Sequence, residues 1–149
     1  MQTTIKHAIK CNGIGLHSGA NVSITIKPSA AEYGIWFRRI DIKNLDNMIA
    51  AHYLNVSESA LCTKLSNDSG VSISTVEHLM AALSGCGVQN ALIEVDGPEI
   101  PIMDGSSGWF VRKIVQCGVK QLPEPVRVIH VKKEVSFKTK DAFASICPS

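Results

Sequence analysis

No strong excess of charge of either sign marks this 149-residue chain. Its 15 Lys and Arg stand against 13 Asp and Glu, for a formal net charge of +2. Nucleic-acid and anionic-membrane partners call for a basic stripe or patch, and no basic stripe interleaved with aromatics is found, so both are set aside. No run of about 18 apolar residues occurs, so no membrane span is expected. The first residues, Met1-Gln2-Thr3-Thr4-Ile5-Lys6-His7, contain no apolar core of a signal peptide, and a cytoplasmic location is expected. Cysteine is present five times, as Cys11, Cys62, Cys86, Cys117 and Cys147. The number is odd, the spacing is wide and no C-x-x-C occurs. Neither a disulfide framework nor a cysteine zinc site is indicated, and reduced thiols are expected. Internal repeats and low-complexity tracts are absent as well.

What is there is ordinary globular material. Hydrophobic residues make up 45% and charged residues 19%, enough for one good core or one domain and part of another. Residues 3–10 read as a strand. The glycine-dense stretch Cys11-Asn12-Gly13-Ile14-Gly15-Leu16-His17-Ser18-Gly19 follows. Then Val22, Ile24 and Ile26 alternate with polar neighbours until Pro28. The glycine loop therefore joins two strands as a hairpin tip. As a phosphate cradle it fails, because it opens no helix and Ser18 stands where the third glycine of G-x-G-x-x-G belongs. His17 at this tip can reach a site with little steric obstruction, although most loop histidines are merely solvated.

Residues 34–40 read as a third strand and 41–47 as a loop. Residues 48–56 fit helix or strand equally. Leu61-Cys62-Thr63-Lys64-Leu65 reads as a short strand, and Asn67-Asp68-Ser69-Gly70 as a turn. Residues 90–95 form the clearest buried strand. Ser106 or Ser107 caps a second helix, with Phe110, Val111, Ile114 and Val115 as its apolar stripe and Gly118 as its stop. Residues 120–125, with two prolines, form the best linker. Strand-like residues 126–131 and 134–137 lie beyond it with no helix to cover them. The expected fold is α+β. It is a two-layer sandwich, with helices near 75–84 and 107–117 on one face of a mainly antiparallel sheet. Domain one spans residues 1–122, and residues 123–149 are a linker and the opening strands of an incomplete second domain.

The first helix carries the chemistry. Ser74-Thr75-Val76-Glu77-His78-Leu79 has the S-x-x-E spacing of a capping box, and Gly85 or Gly87 can end the helix. Glu77 and His78 diverge by roughly 100° around the axis, so one can bind a metal while the other leans toward a water. A structural reading stands beside this one: Glu77 as the partner of Ser74 only, and His78 as a packed histidine. On these residues alone both remain open, because the second histidine of H-E-x-x-H is missing.

Four stretches, in order, resemble the N-terminal part of the zinc-dependent UDP-3-O-acyl-N-acetylglucosamine deacetylases of lipid A biosynthesis. They are Gly13-Ile14-Gly15-Leu16-His17-Ser18-Gly19, Leu61-Cys62-Thr63, Ser74-Thr75-Val76-Glu77-His78-Leu79, and Pro98-Glu99-Ile100-Pro101-Ile102-Met103-Asp104-Gly105-Ser106. The resemblance implies two similar α+β domains with Zn2+ between them, and a hydrolase that removes the N-acetyl group of the UDP-linked acylated glucosamine. It makes His78 a zinc ligand and Glu77 the general base, and puts His17, Leu61 and Cys62 at the substrate. Such a metal needs three protein ligands. In the family the other two come from a His-Lys-x-x-Asp stretch that this sequence lacks. The expectation is therefore an N-terminal portion, inactive alone, with the missing second domain as its partner in trans. The alternative is a non-catalytic binding module or inactive fragment that exposes the domain-interface face. His7, His52 and His130 match no ligand motif.

Overall fold

The computed structural model describes residues 1–148. In chain order the strands are β1 (Thr3–Ile5), β2 (Ile9–Ile14), β3 (Asn21–Pro28), β4 (Ile35–Arg39) and β5 (Met48–Ala50). A 3-10 turn (Tyr53–Asn55), β6 (Val56–Glu58), β7 (Lys64–Ser66) and β8 (Ser72–Ile73) lead to helix α1 (Glu77–Gly85). Then come β9 (Ala91–Val95), helix α2 (Gly108–Cys117), β10 (Val119–Gln121), β11 (Val135–Lys138) and β12 (Phe143–Ile146).

The main sheet has the order β2-β3-β9-β4-β5. All its pairings are antiparallel except β4 with β9, which run parallel. In β3 and β9 the burial alternates, with Val22, Ile24 and Ile26 and then Ala91, Ile93 and Val95 pointing inward. Phe37 and Ile49 extend this face across the sheet. Leu79, Ala82 and Leu83 of α1 and Phe110 and Ile114 of α2 close it, in one hydrophobic cluster. The other face is polar: Glu94 receives Lys27 at 2.7 Å and also pairs with Arg38. One dry face and one wet face give the expected α+β two-layer sandwich. A three-stranded sheet, β6-β7-β8, and the pair β1-β10 lie beside the main sheet. Arg39 joins the first two, donating to the Ser72 carbonyl at 2.7 Å while its fork grips Asp41. That fork holds the Asp41 carboxyl below the usual carboxylate range.

Several local expectations shift. The strand at residues 3–10 is two strands separated by a bend, and β1 leaves the hairpin to pair with β10. Part of the expected linker is therefore strand. Residues 61 and 62 are bent rather than extended, and the strand there begins at Lys64. Residues 126–131 carry no strand. Val115 points to water at 68% exposure, because α2 buries the narrower stripe of Phe110 and Ile114.

The capping box does not form. Helix α1 begins at Glu77, its N-cap is Val76, and no side chain caps it. Ser74 is engaged elsewhere: its N–H donates to Pro98 and its carbonyl accepts from Ile100. At the other end Gly87, at φ 70°, closes a Schellman motif. Its N–H reaches the Ser84 carbonyl at 3.0 Å, and Val88 N–H reaches Leu83 at 2.8 Å. In α2, Ser106 Oγ accepts Gly108 N–H at 3.1 Å and the stop is Gly118, at φ 81°.

Two truncations check this layering by urea unfolding. Ile93→Ala, at the centre of the closed face, should cost roughly 2–5 kcal/mol, whereas Val115→Ala should stay within about 0.5 kcal/mol of the parent. Comparable losses for the two would contradict the assignment of faces.

Candidate active site

The site begins at the tip of the β2–β3 hairpin. Gly15 N–H donates to Ala20 and Gly19 N–H returns to Gly15, both at 2.9 Å, which folds residues 15–20 into a tight loop. Gly19 supplies the left-handed turn at φ 64°. A Cβ on Gly15 would lie 2.5 Å from Glu99 Oε2 and would also strike Ser18 Oγ, so the tip closes only around a glycine.

Glu99 lies beneath this loop, 2% exposed. Its Oε1 accepts the His17 N–H at 3.1 Å and the Thr75 hydroxyl at 2.8 Å. Oε2 accepts the Ser18 N–H at 3.0 Å and the Ser18 hydroxyl at 2.8 Å. Burial by itself raises a carboxyl pKa. Here the donors from His17, Ser18 and Thr75 outweigh it and hold Glu99 below the usual carboxylate range.

Thr75 is the second unusual residue. It is 2% exposed and sits at φ 59°, a conformation that a β-branched residue adopts only under constraint. The constraint is visible on both sides. Ser74 is paired to the segment carrying Glu99, and Val76 N–H reaches the Thr63 carbonyl at 3.4 Å. This forced turn ends the extended chain and starts α1, so Glu77 and His78 become its first two residues. Glu77 Oε2 accepts the Thr63 N–H at 3.0 Å, which ties the helix start to the segment after Cys62.

A cleft of about 330 Å³ lies between the loop and that segment, with His17, Leu61, Cys62, Lys64, Ser74 and Glu99 among its walls. Three of the five residues singled out in the sequence, His17, Leu61 and Cys62, therefore meet on one surface. Glu77 adjoins it through Thr63. His78, half-buried on α1, is not on its walls. Leu61 is 84% exposed. A second, apolar hollow of about 650 Å³ lies on another side of the hairpin tip, lined by Ile14, Leu16, Met103 and Trp109 among others. Glu99 is what the reading of the sequence missed. Its signal was present in Pro98-Glu99-Ile100-Pro101, an acidic residue flanked by apolar ones.

A family model described as UDP-3-O-acyl N-acetylglycosamine deacetylase matches residues 2–149. The chain belongs to this deacetylase family. A Vibrio cholerae serotype O1 protein named UDP-3-O-acyl-N-acetylglucosamine deacetylase is 49% identical over 147 residues, which cover 99% of this chain and 48% of the relative. Proteins of the same name from Vibrio parahaemolyticus and Vibrio vulnificus are 48% and 47% identical over the same share. The chain thus spans about half the length of the curated relatives it matches. Among the described residues no group of three or more His, Cys, Asp and Glu side chains is placed to hold a metal ion. A catalytic metal site with three protein ligands is therefore not closed by the described residues alone. No helix is long and apolar enough to cross a membrane among the described residues.

Gly15→Ala tests the closed tip. The forced shift of Ser18 or Glu99 should cost roughly 1–3 kcal/mol in chemical denaturation, more than Gly→Ala at an open turn. A neutral substitution would show that the loop does not close on Glu99.

Proposed function

We propose that this chain is the N-terminal portion of a zinc-dependent hydrolase that removes the N-acetyl group of UDP-3-O-acyl-N-acetylglucosamine, in the cytoplasm, for lipid A synthesis. Residues 1–122 form its first domain and residues 123–149 open a second. The observation that carries this reading is the placement of Glu77 and His78 at the forced start of α1, next to the cleft that gathers His17, Leu61 and Cys62. Identity at about half of the aligned positions to deacetylases of that name supports the substrate and the reaction.

The roles follow from position. His17, Leu61 and Cys62 contact the substrate. Glu77 keeps Oε2 on the Thr63 amide, which fixes its carboxylate and leaves Oε1 free to take a proton from the water that attacks the acetyl carbonyl. His78 would hold the metal from the first turn of α1, where neutral imidazole is the ligating form. It is one ligand of three, so the others come from residues beyond those brought together here. The chain alone is therefore inactive, and the complementary domain is its partner. A non-catalytic binding role for the exposed cleft is the second reading, favoured by the absence of a closed ligand set among the described residues.

Metal analysis and kinetics separate the two. The isolated chain should retain little zinc after dialysis and show no deacetylation. Co-expression with a chain carrying the complementary domain of a Vibrio relative should restore both. In that assembly His78→Ala should lose the metal, while Glu77→Gln should keep it and lose roughly 10²–10⁴-fold in rate. Gln retains an oxygen for the Thr63 amide, so a rate loss without a stability loss marks catalysis. Full activity of Glu77→Gln would reduce Glu77 to a structural tie.

A further inference from the structure

The hairpin tip has little to hold it. His17, Ser18 and Gly19 are exposed, and the hydrogen bonds that leave these three residues for the chain beyond the loop run to one side chain. That side chain is Glu99, which takes up four donors on two oxygens. Two of its partners are backbone amides of the loop, 82 and 81 residues away in sequence. A third is the hydroxyl of Thr75, whose left-handed backbone places Glu77 and His78. Strain at such a residue persists only where its surroundings fix it. The Thr75 bond to Glu99 is one of the contacts that do so.

We propose that Glu99 is a positioning residue that locks the two walls of the cleft together, the His17-Ser18 tip on one side and the Thr75 turn that launches Glu77 and His78 on the other. What the cleft does rests on the deacetylase reading; the lock itself does not. A carboxylate is needed for it. Both oxygens face N–H and O–H donors, so a glutamine would turn its amide nitrogen against one pair of them and lose that side of the lock. The remaining titratable groups on the cleft are His17, Glu58, Cys62 and Lys64. Because Glu99 has a lowered pKa, its bonds are fully formed above the ordinary glutamate value of about 4.3 and are lost as pH falls through its own lower value.

Amide hydrogen exchange on the 149-residue chain tests the lock, with the Ile93 amide of β9 as the internal reference. Glu99→Gln should lower the protection factors of the His17 and Ser18 amides at least tenfold relative to Ile93. In the parent, protection of the tip should fall with acid ahead of Ile93, and this step should vanish in Glu99→Gln. Ser18→Ala removes only the hydroxyl donor and should give a smaller loss of the same sign. Unchanged protection of the tip in Glu99→Gln overturns the proposal. If that variant does not fold, a parent tip that loses protection only together with Ile93, or an unaltered tip in Ser18→Ala, overturns it instead. Such a result leaves the deacetylase reading standing, and an inactive assembly leaves the exchange pattern standing, so the two fail separately.

Discussion

A carboxylate withdrawn from water must be surrounded by donors, and the geometry of this site follows from where Glu99 finds them. It lies in the extended segment after β9, within hydrogen-bonding reach of a hairpin tip formed near the start of the chain and of the turn before α1. The turn and the segment are buried, with Val76 at 2% and Ile100 at 1%, whereas the tip itself is exposed. The tip is glycine-rich and exposed, the turn is strained, and the segment is irregular. Each donor is a group that would otherwise need water, so the ionised side chain and the backbone amides satisfy one another. The result is a cleft whose walls come from distant parts of the sequence and share one polar anchor.

The main sheet serves as the foundation. Strand β9 is central, antiparallel to β3 and parallel to β4, and its inward side chains are fully buried. The segment that leaves it toward Glu99 therefore starts from the most firmly held part of the molecule. The hairpin β2–β3 starts from the same sheet. Arg39, at the end of β4, reaches Ser72 and so fixes β8, two residues ahead of Ser74. Short connections to buried strands limit how far the hairpin tip and the turn before α1 can wander.

The site is open as well as anchored. Leu61 on the cleft is 84% exposed, and Leu16 on the hairpin tip is 59% exposed. The relatives are about twice as long as this chain. In the reading proposed above, this half supplies a general base, one ligand and a substrate-facing loop.

Periodicity and short motifs were enough to find β3, β9 and both helices, because these depend on neighbours within a few residues: Val22, Ile24 and Ile26 on one face, Phe110 and Ile114 on one stripe. The motifs around His17 and Cys62 pointed to segments that line the cleft for the same reason, being local spellings, and the one around His78 pointed to the start of α1, off its walls. Only the tertiary structure decided the parallel pairing of β4 with β9, the departure of β1 to β10, and the true start of α1. Ser74 and Glu77 have capping-box spacing, yet the Ser74 N–H donates to the Pro98 carbonyl and the Glu77 carboxylate accepts from Thr63, so the box never closes. Glu99 shows the limit most clearly. Its partners at positions 17, 18 and 75 are separated from it by up to 82 residues. A hydrogen bond depends on distance and direction in space, and sequence spacing fixes neither until the sheet has brought the segments together.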